Sequence, residues 1–388
     1  MKNLARLSLI FPVVILTMIL VIGGCKKKED PPPTPPPALV YVGSDQCQTC
    51  HVEIYSKFIE SGHPYKLNKV INNSQPVIPF TTALGLQIPT PAGYSWSNIT
   101  WLIGGYGWKA RFIDANGFIM TEQDDTQYNL ANGTQVAYNA NDPMGTKKYN
   151  CGRCHTTGWV SVADGGSPKD GLPGMDGDFF AGGIQCEGCH GKGSTHVATQ
   201  LAIDITLDAT SAFCGTCHYR NADHTIAASG GFIKHHEQYD AWLTSGGHYA
   251  SNIGCNTCHD VHSSTRYDDK AAGEGVQNSC QSCHSTYNAD NHQAMQLECT
   301  TCHMAKATKS AIKNGKYVGD LPTHIFRINP SATYTQFSAD GKLANPDGLS
   351  LAFACYSCHK DADGEGGDYS QKTMEQLSAK ATNFHGTK

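Results

Sequence analysis

Basic side chains are scarce in this chain. Its 388 residues carry 29 Lys and Arg against 34 Asp and Glu, a formal charge of −5. Counted from Cys25 onward, 27 basic side chains face 34 acidic ones, a balance of −7. Nothing in this distribution resembles the basic surface that nucleic acid requires, so that class of partner is excluded. The chain also lacks a comfortable membrane span. Its N-terminal apolar stretch, Leu7 to Ile22, is shorter than the ~20 residues that a spanning helix needs. Nor are cysteines left over: of 17, all but Cys25 belong to one repeated motif.

That motif is Cys-x-x-Cys-His, present eight times: at Cys47, Cys50 and His51; Cys151, Cys154 and His155; Cys186, Cys189 and His190; and Cys214, Cys217 and His218. It returns at Cys255, Cys258 and His259; Cys280, Cys283 and His284; Cys299, Cys302 and His303; and Cys355, Cys358 and His359. At these residue frequencies a random chain would hold roughly 0.03 such motifs. The spacing is the attachment signature of c-type haem. Two thiols add across the vinyl groups of one porphyrin, and the adjacent histidine becomes the proximal iron ligand. Zinc knuckles and redox dithiols do not require a histidine directly after the second cysteine every time. The expected cofactors are therefore eight covalent haems c with their irons.

Cys25 explains the N-terminus. Lys2 and Arg6, the apolar stretch, and then Ile22-Gly23-Gly24-Cys25 read as a secretory signal peptide over residues 1–24. A cysteine at the cleavage point resembles a bacterial lipobox, so lipidation of Cys25 is expected, with several acyl chains holding the protein on a bilayer. Export agrees with covalent haem attachment outside the cytoplasm. No Asp sits directly after Cys25, which by resemblance to lipoprotein sorting rules favours the outer membrane, and Lys28-Glu29-Asp30 resembles a surface-export tag. Pro31 to Pro37 reads PPPTPPP, a stiff polyproline II spacer. Residues 25–38 are thus a lipidated tether and 39–388 the haem domain.

About one haem per 44 residues is too little protein for a separate apolar core around each group. The macrocycles must fill the interior, with a loop-rich shell suited to 40 glycines and 18 prolines. Without haem no stable fold is expected. Residues 52–150 carry no motif, and within them Asn116-Gly117 and Asn132-Gly133 separate short apolar runs. These are hairpin signals, and they predict a small antiparallel β insert over 99–139, next to the first two haems. An internal echo links HVEIYSKFIESGH, ending at His63, with HHEQYDAWLTSGGH, ending at His248. Each reads as a short helix that presents a histidine just past its end.

Eight proximal histidines leave ten others. The expected distal ligands are His63, His196, His224, His235 (or His236), His248, His262, His292 and His324, with His385 left as the bystander. His262 follows the proximal His259 too closely to reach the far face of the same ring, so it would serve a neighbouring haem. His196, soon after His190, invites the same reading. Met295 and Met304 are the second choice as sixth ligands.

The segment CQTCHVEIYSKFIESGHPYKL, the strand IGGYGWKARFID, CEGCHGKGSTH, CHDVH and the closing THIF resemble the multihaem cytochrome c superfamily. That group includes cytochrome c-554, octahaem hydroxylamine oxidoreductase and related octahaem reductases. The resemblance covers most of residues 40–360. It implies a mostly α-helical, haem-filled fold with parallel-stacked and perpendicular haem pairs, and it matches His63, His196, His262 and His324 to distal-ligand positions.

Haem catalysis needs an open sixth position. Here every motif ends in His, and the spare histidines suffice to close every iron, which favours electron transfer. The expected function is a membrane-anchored chain of closely packed bis-histidine haems in the periplasm or at the cell surface. Its partners would be other redox proteins or quinol-linked donors. The alternative is a reductase of small nitrogen or sulfur compounds, its open iron at Cys151 and Cys154, with Lys109, Arg111 or Tyr149 near the pocket. A third reading is a homo-oligomeric subunit of an extracellular cytochrome filament.

Overall fold

Each motif is built on a single helical turn. The amide of His51 donates to the carbonyl of Cys47 (2.9 Å), and His218 to Cys214, His259 to Cys255 and His284 to Cys280 repeat the bond at 2.8–3.0 Å. One turn puts positions i, i+3 and i+4 on one face. Both thiols and the imidazole of a motif are thereby turned the same way. Nothing obliges the helix to continue, and the helical segments are short. Among the described residues helix makes up 25% and strand 18%, so loops dominate and helix prevails less than expected. The physical reason is that a motif requires one turn and no more.

The computed structural model describes residues 38–388 except 245, 288–291, 293, 294, 296, 383 and 386–388. The expected signal peptide, the lipidated Cys25 and the proline tether over 31–37 lie outside the described residues. Among the described residues no helix is long and apolar enough to cross a membrane.

A five-stranded antiparallel sheet occupies the long gap between the first two motifs. Its strands are β1 (Leu67–Lys69), β2 (Ile99–Gly104), β3 (Lys109–Asp114), β4 (Gln127–Asn129) and β5 (Thr134–Val136), hydrogen-bonded in sequence order. The sheet therefore begins earlier than the expected 99–139. Leu67 to Lys69 is too short a segment to show a two-residue period, and only its pairing with β2 makes it a strand. Both Asn-Gly turns are present. Asp114 Oδ1 accepts from the amides of Asn116 and Phe118 (2.9 Å each), and Met120 N donates back to Phe112 O (2.9 Å). Gly117 has φ 86°, and a Cβ there would lie 2.8 Å from Leu172 Cβ. Both the backbone and the packing thus require glycine. At the second turn Gly133 N donates to Asn129 O (3.0 Å).

The sheet is buried on both faces. Ile99, Leu102, Ala110, Phe112 and Tyr128 pack with Ile78, Ile88 and Met120 on one side. Trp101 and Ile113 pack with Tyr149, Met175 and Phe179 on the other. A bulge between Ile99 and Trp101 shifts the alternation, so that Ile99 and Leu102 share a face although three residues apart. On β3, Ala110 and Phe112 belong to the first face. Alternation assigns Lys109 and Arg111 to the second, toward Tyr149 and the motif at Cys151.

A further core gathers Ile226, Phe232, Ile233, Ala307, Ile325, Leu349 and Phe353 around a small sheet of Ala228–Ser229, Phe232–Lys234 and Thr308–Lys309. The two echoed segments form seven-residue helices, Val52–Phe58 and Gln238–Thr244. Buried Glu187, inside the third motif, ties the first described residues to that motif. Its carboxylate accepts from the amides of Val42, Gly43 and Gly193 at 2.7–3.0 Å.

Phe112 is fully buried at the centre of the sheet. Phe112→Ala should cost about 3–5 kcal/mol of stability through lost transfer energy and a residual cavity. Limited proteolysis between residues 60 and 150, rather than haem content, should report the loss.

Candidate functional site

The eight motif imidazoles do not stand alone. Each faces the ring of one histidine from outside the motifs, at ring-centroid distances of 5.8–6.3 Å. The pairs are His51 with His196, His155 with His236, His190 with His262, and His218 with His63. The other four are His259 with His324, His284 with His248, His303 with His385, and His359 with His292. An imidazole–metal bond of about 2.0 Å, plus about 1.1 Å from nitrogen to ring centre on each side, predicts a separation of about 6.2 Å for two rings trans to one ion. Direct stacking would bring them closer.

In five of these rings the backbone holds the second nitrogen. His190 Nδ1 donates to Thr206 O (2.9 Å), His303 Nδ1 to Phe326 O (2.7 Å), His259 Nδ1 to Gly275 O (3.1 Å) and His359 Nδ1 to Ser370 O (3.0 Å). On the opposing side His196 Nδ1 donates to Leu201 O (2.9 Å). A carbonyl can only accept, so each bond fixes the proton on Nδ1 and leaves the Nε2 lone pair for a metal. Burial keeps several rings neutral. It pushes His63 and His324 down to about 3 and His155 to about 4, with the charge of Lys66 adding to the shift at His63 and His155. Neutral imidazole is the ligating form.

All sixteen paired imidazoles and fifteen of the sixteen motif cysteines line one continuous cavity of about 4000 Å³. A single ligand pocket is on the order of 500 Å³, so the space matches several large groups. Among the described residues no three His, Cys, Asp or Glu side chains converge where a bare ion would sit. Paired thiols, a facing pair of rings and a wide apolar slot between them fit a covalently held macrocyclic iron group.

Sulfurs from different motifs also approach one another. Cys47 meets Cys186, Cys154 meets Cys217 and Cys214 meets Cys255 within hydrogen-bonding reach. Cys189 lies near Cys217, Cys258 near Cys283, Cys280 near Cys299, and Cys302 near Cys355 and Cys358. In chain order, the first, third, fourth, fifth, sixth, seventh and eighth motifs therefore form a row. The second stands beside the fourth as a side branch.

The expected distal residues divide as follows. His63, His196, His248, His262, His292 and His324 stand opposite motif imidazoles. His224 and His235 do not. His224 Nδ1 donates to the buried Asp240 carboxylate (2.8 Å), and His224 does not line the cavity. His235 is held by Arg220, whose Nε donates to its carbonyl (2.9 Å) and whose guanidinium lies 3.3 Å from both ring nitrogens. Its neighbour His236 takes the place opposite His155, and His385, expected as a bystander, takes the place opposite His303. The repeated segment around His235 and His236 marked the right neighbourhood without choosing between adjacent rings. For His385 the sequence offered only a position near the end of the chain.

Cations gather around the branch motif. Lys109 Nζ donates to Ser310 O (2.5 Å), Arg111 Nε donates to Gln127 Oε1 (2.8 Å), and the Arg111 guanidinium lies over the Tyr138 ring at 3.6 Å. Burial, and then their mutual repulsion, pushes Lys109 well below its ordinary pKa. Tyr149 is fully buried beside Cys151, and its hydroxyl has no hydrogen-bond partner among the described residues.

A family model described as cytochrome c554 and c-prime matches residues 118–191. The multiheme cytochrome MtrA of Shewanella baltica (strain OS185) is 25% identical over 197 residues, 47% of this chain and 44% of the relative. The chain thus matches less than half the length of that protein. Among solved structures, the outer cell wall cytochrome OcwA has TM-score 0.53 at 15% identity, over 87% of this chain and 86% of its own. The Wolinella succinogenes octaheme sulfite reductase MccA has TM-score 0.58 at 15% identity, over 89% and 67%. In its motifs, in a stretch of its sequence and in its fold, this chain is similar to multihaem c-type cytochromes.

The two sets of spare histidines can be told apart spectroscopically. His385→Ala should turn about one-eighth of the haem high-spin and reactive with carbon monoxide, because His385 faces a motif imidazole. His224→Ala should leave every haem low-spin. Electron paramagnetic resonance on the matured proteins checks both.

Proposed function

We propose that this chain is an octahaem electron carrier in which every iron is held between two histidines. The observation that carries the reading is the complete matching of eight motif imidazoles with eight others at the separation of a trans-ligated pair. Bound at each motif, a haem would supply an iron that accepts and releases one electron. The chain's own residues do the rest. The motif cysteines would fix each ring by two thioethers. The sixteen imidazoles would close both faces of every iron, which leaves no coordination position for substrate. The row of neighbouring motifs would keep ring edges close enough for electrons to pass from the first motif to the eighth, with the second motif as a side branch.

The reading includes attachment to a bilayer through Cys25, with export to the periplasm or the cell surface. The motif Ile22-Gly23-Gly24-Cys25 and the proline tether support it. The similarity in fold to a protein named as an outer cell wall cytochrome agrees with export. Donors and acceptors would be other redox proteins, including quinol-linked ones.

A second reading has one specific observation in its favour. Lys109, Arg111 and Arg220 lie close enough to repel one another beside the branch motif, next to the unpartnered hydroxyl of Tyr149. Such a group of cations suits a small sulfur or nitrogen oxyanion, and MccA, of similar fold, is named as an octaheme sulfite reductase. His236 must leave the position opposite His155 for this chemistry to occur. The carrier reading is therefore preferred.

Two measurements on protein matured with its haems separate the readings. Mass spectrometry and the pyridine haemochrome assay should give eight covalent haems per chain, and electron paramagnetic resonance should give only low-spin ferric signals. One stoichiometric high-spin signal in the resting protein would move the conclusion to the reductase. A count below eight would overturn both.

A further inference from the structure

We propose that Lys66 is the shared counter-ion of the groups at the second and fourth motifs. It would pair with their propionate carboxylates and raise the reduction potential at the junction of row and branch. The proposal rests on the octahaem carrier reading and adds a residue that tunes it.

Lys66 lies three residues beyond His63, at the entry to β1, where its carbonyl accepts from Gly104 N (2.9 Å). Its backbone is thus fixed to the edge of the sheet, and its side chain lines the cavity. The ammonium passes over Gly62: a Cβ at that position would lie 3.5 Å from Lys66 Nζ and 3.0 Å from Tyr106 Cδ1. Glycine at 62 gives the lysine its room.

Lys66 is half-buried on the cavity wall, where groups bound in the cavity would cover what remains exposed, and no hydrogen bond or ion pair to its ammonium is found among the described residues. Burial alone pushes it down, to about 8. The other cations of this region differ. Lys109 has the Ser310 carbonyl, Arg111 has Gln127, and Arg220 lies 3.4 Å from the Glu237 carboxylate. A buried charge without a partner is strongly disfavoured, so native structures pair such charges. The partner of Lys66 must be an anion that the described chain does not provide. A haem carries two propionates, and the cavity is where they would lie.

The position of Lys66 identifies the groups. Its charge is felt at four imidazoles: His155 and His236, the pair at the second motif, and His218 and His63, the pair at the fourth. These two motifs also meet through Cys154 and Cys217. One lysine therefore stands between two neighbouring groups. A positive charge beside an iron favours the reduced form, which carries one positive charge fewer. Removing it would also leave a propionate uncompensated, and both effects act in the same direction.

The test is a spectroelectrochemical titration of the full matured chain as wild type, Lys66→Arg and Lys66→Met. In Lys66→Met two of the eight haems should titrate at lower potential, each by about tenfold in equilibrium constant, or about 59 mV for one electron. The other six should not move. Lys66→Arg, which keeps the charge, should follow the wild type. An unchanged curve for Lys66→Met with eight haems attached would overturn the proposal, as would a shift shared by all eight. If Lys66→Met does not mature, Lys66→Gln, polar and uncharged, is read by the same criteria. A wild type with fewer than eight haems would remove the carrier reading itself, and the proposal with it, before any variant is compared.

Discussion

Two imidazoles held about 6 Å apart on opposite sides of a slot form the constraint on which this molecule is built. The rings of each pair come from well-separated parts of the chain. His63, just after the first motif, meets His218 of the fourth, and His262, just after the fifth, meets His190 of the third. His385, near the end of the chain, returns to His303. In no pair do both rings belong to the same motif segment. Each filled slot would therefore act as a cross-link between remote segments. Eight such links would do for this chain what a continuous apolar core does for an ordinary domain of its size.

That arrangement explains why regular structure is sparse. A motif requires one helical turn, and the rings on either side of a slot require only a backbone that aims Nε2, helped at several positions by a carbonyl that holds Nδ1. Loops meet both demands. Conventional packing appears where the motifs are absent, in the five-stranded sheet between the first two and in the small core built from the stretches between the fourth and fifth and between the seventh and eighth. The sheet is more than a cover. The alternation of β3 turns Ala110 and Phe112 into apolar packing and Lys109 and Arg111 toward the branch motif, so one strand contributes both to stability and to the local field.

Charge is distributed to match. The chain is acidic overall, yet Lys66, Lys109, Arg111 and Arg220 gather around the second and fourth motifs. Those with protein partners are structural in the first instance. Lys66, which has none among the described residues, is the one whose environment calls for a charge from the prosthetic groups. Potential along a row of similar bis-histidine irons would otherwise vary little, because axial ligation is the strongest lever on it. A single ammonium is a local means of making one section of the row differ.

The sequence by itself determined the covalent chemistry. Cys-x-x-Cys-His needs no tertiary context, because one helical turn brings its three reactive groups together, and both Asn-Gly turns announced their hairpins through backbone preference alone. The strand Leu67–Lys69 stayed hidden, since three residues carry no period and become a strand only when β2 lies alongside. The opposing histidines were legible as a supply, ten candidates for eight places, but not as a set. His235 and His236 are adjacent in sequence, and the strand leading into them, with Arg220 holding the first ring, decides which one faces His155. His224 looked eligible and His385 a bystander, but Asp240 takes the ring of the first and the end of the chain brings the second back to His303. Which imidazole opposes which is a property of distances between remote segments, and such distances exist only in the folded chain.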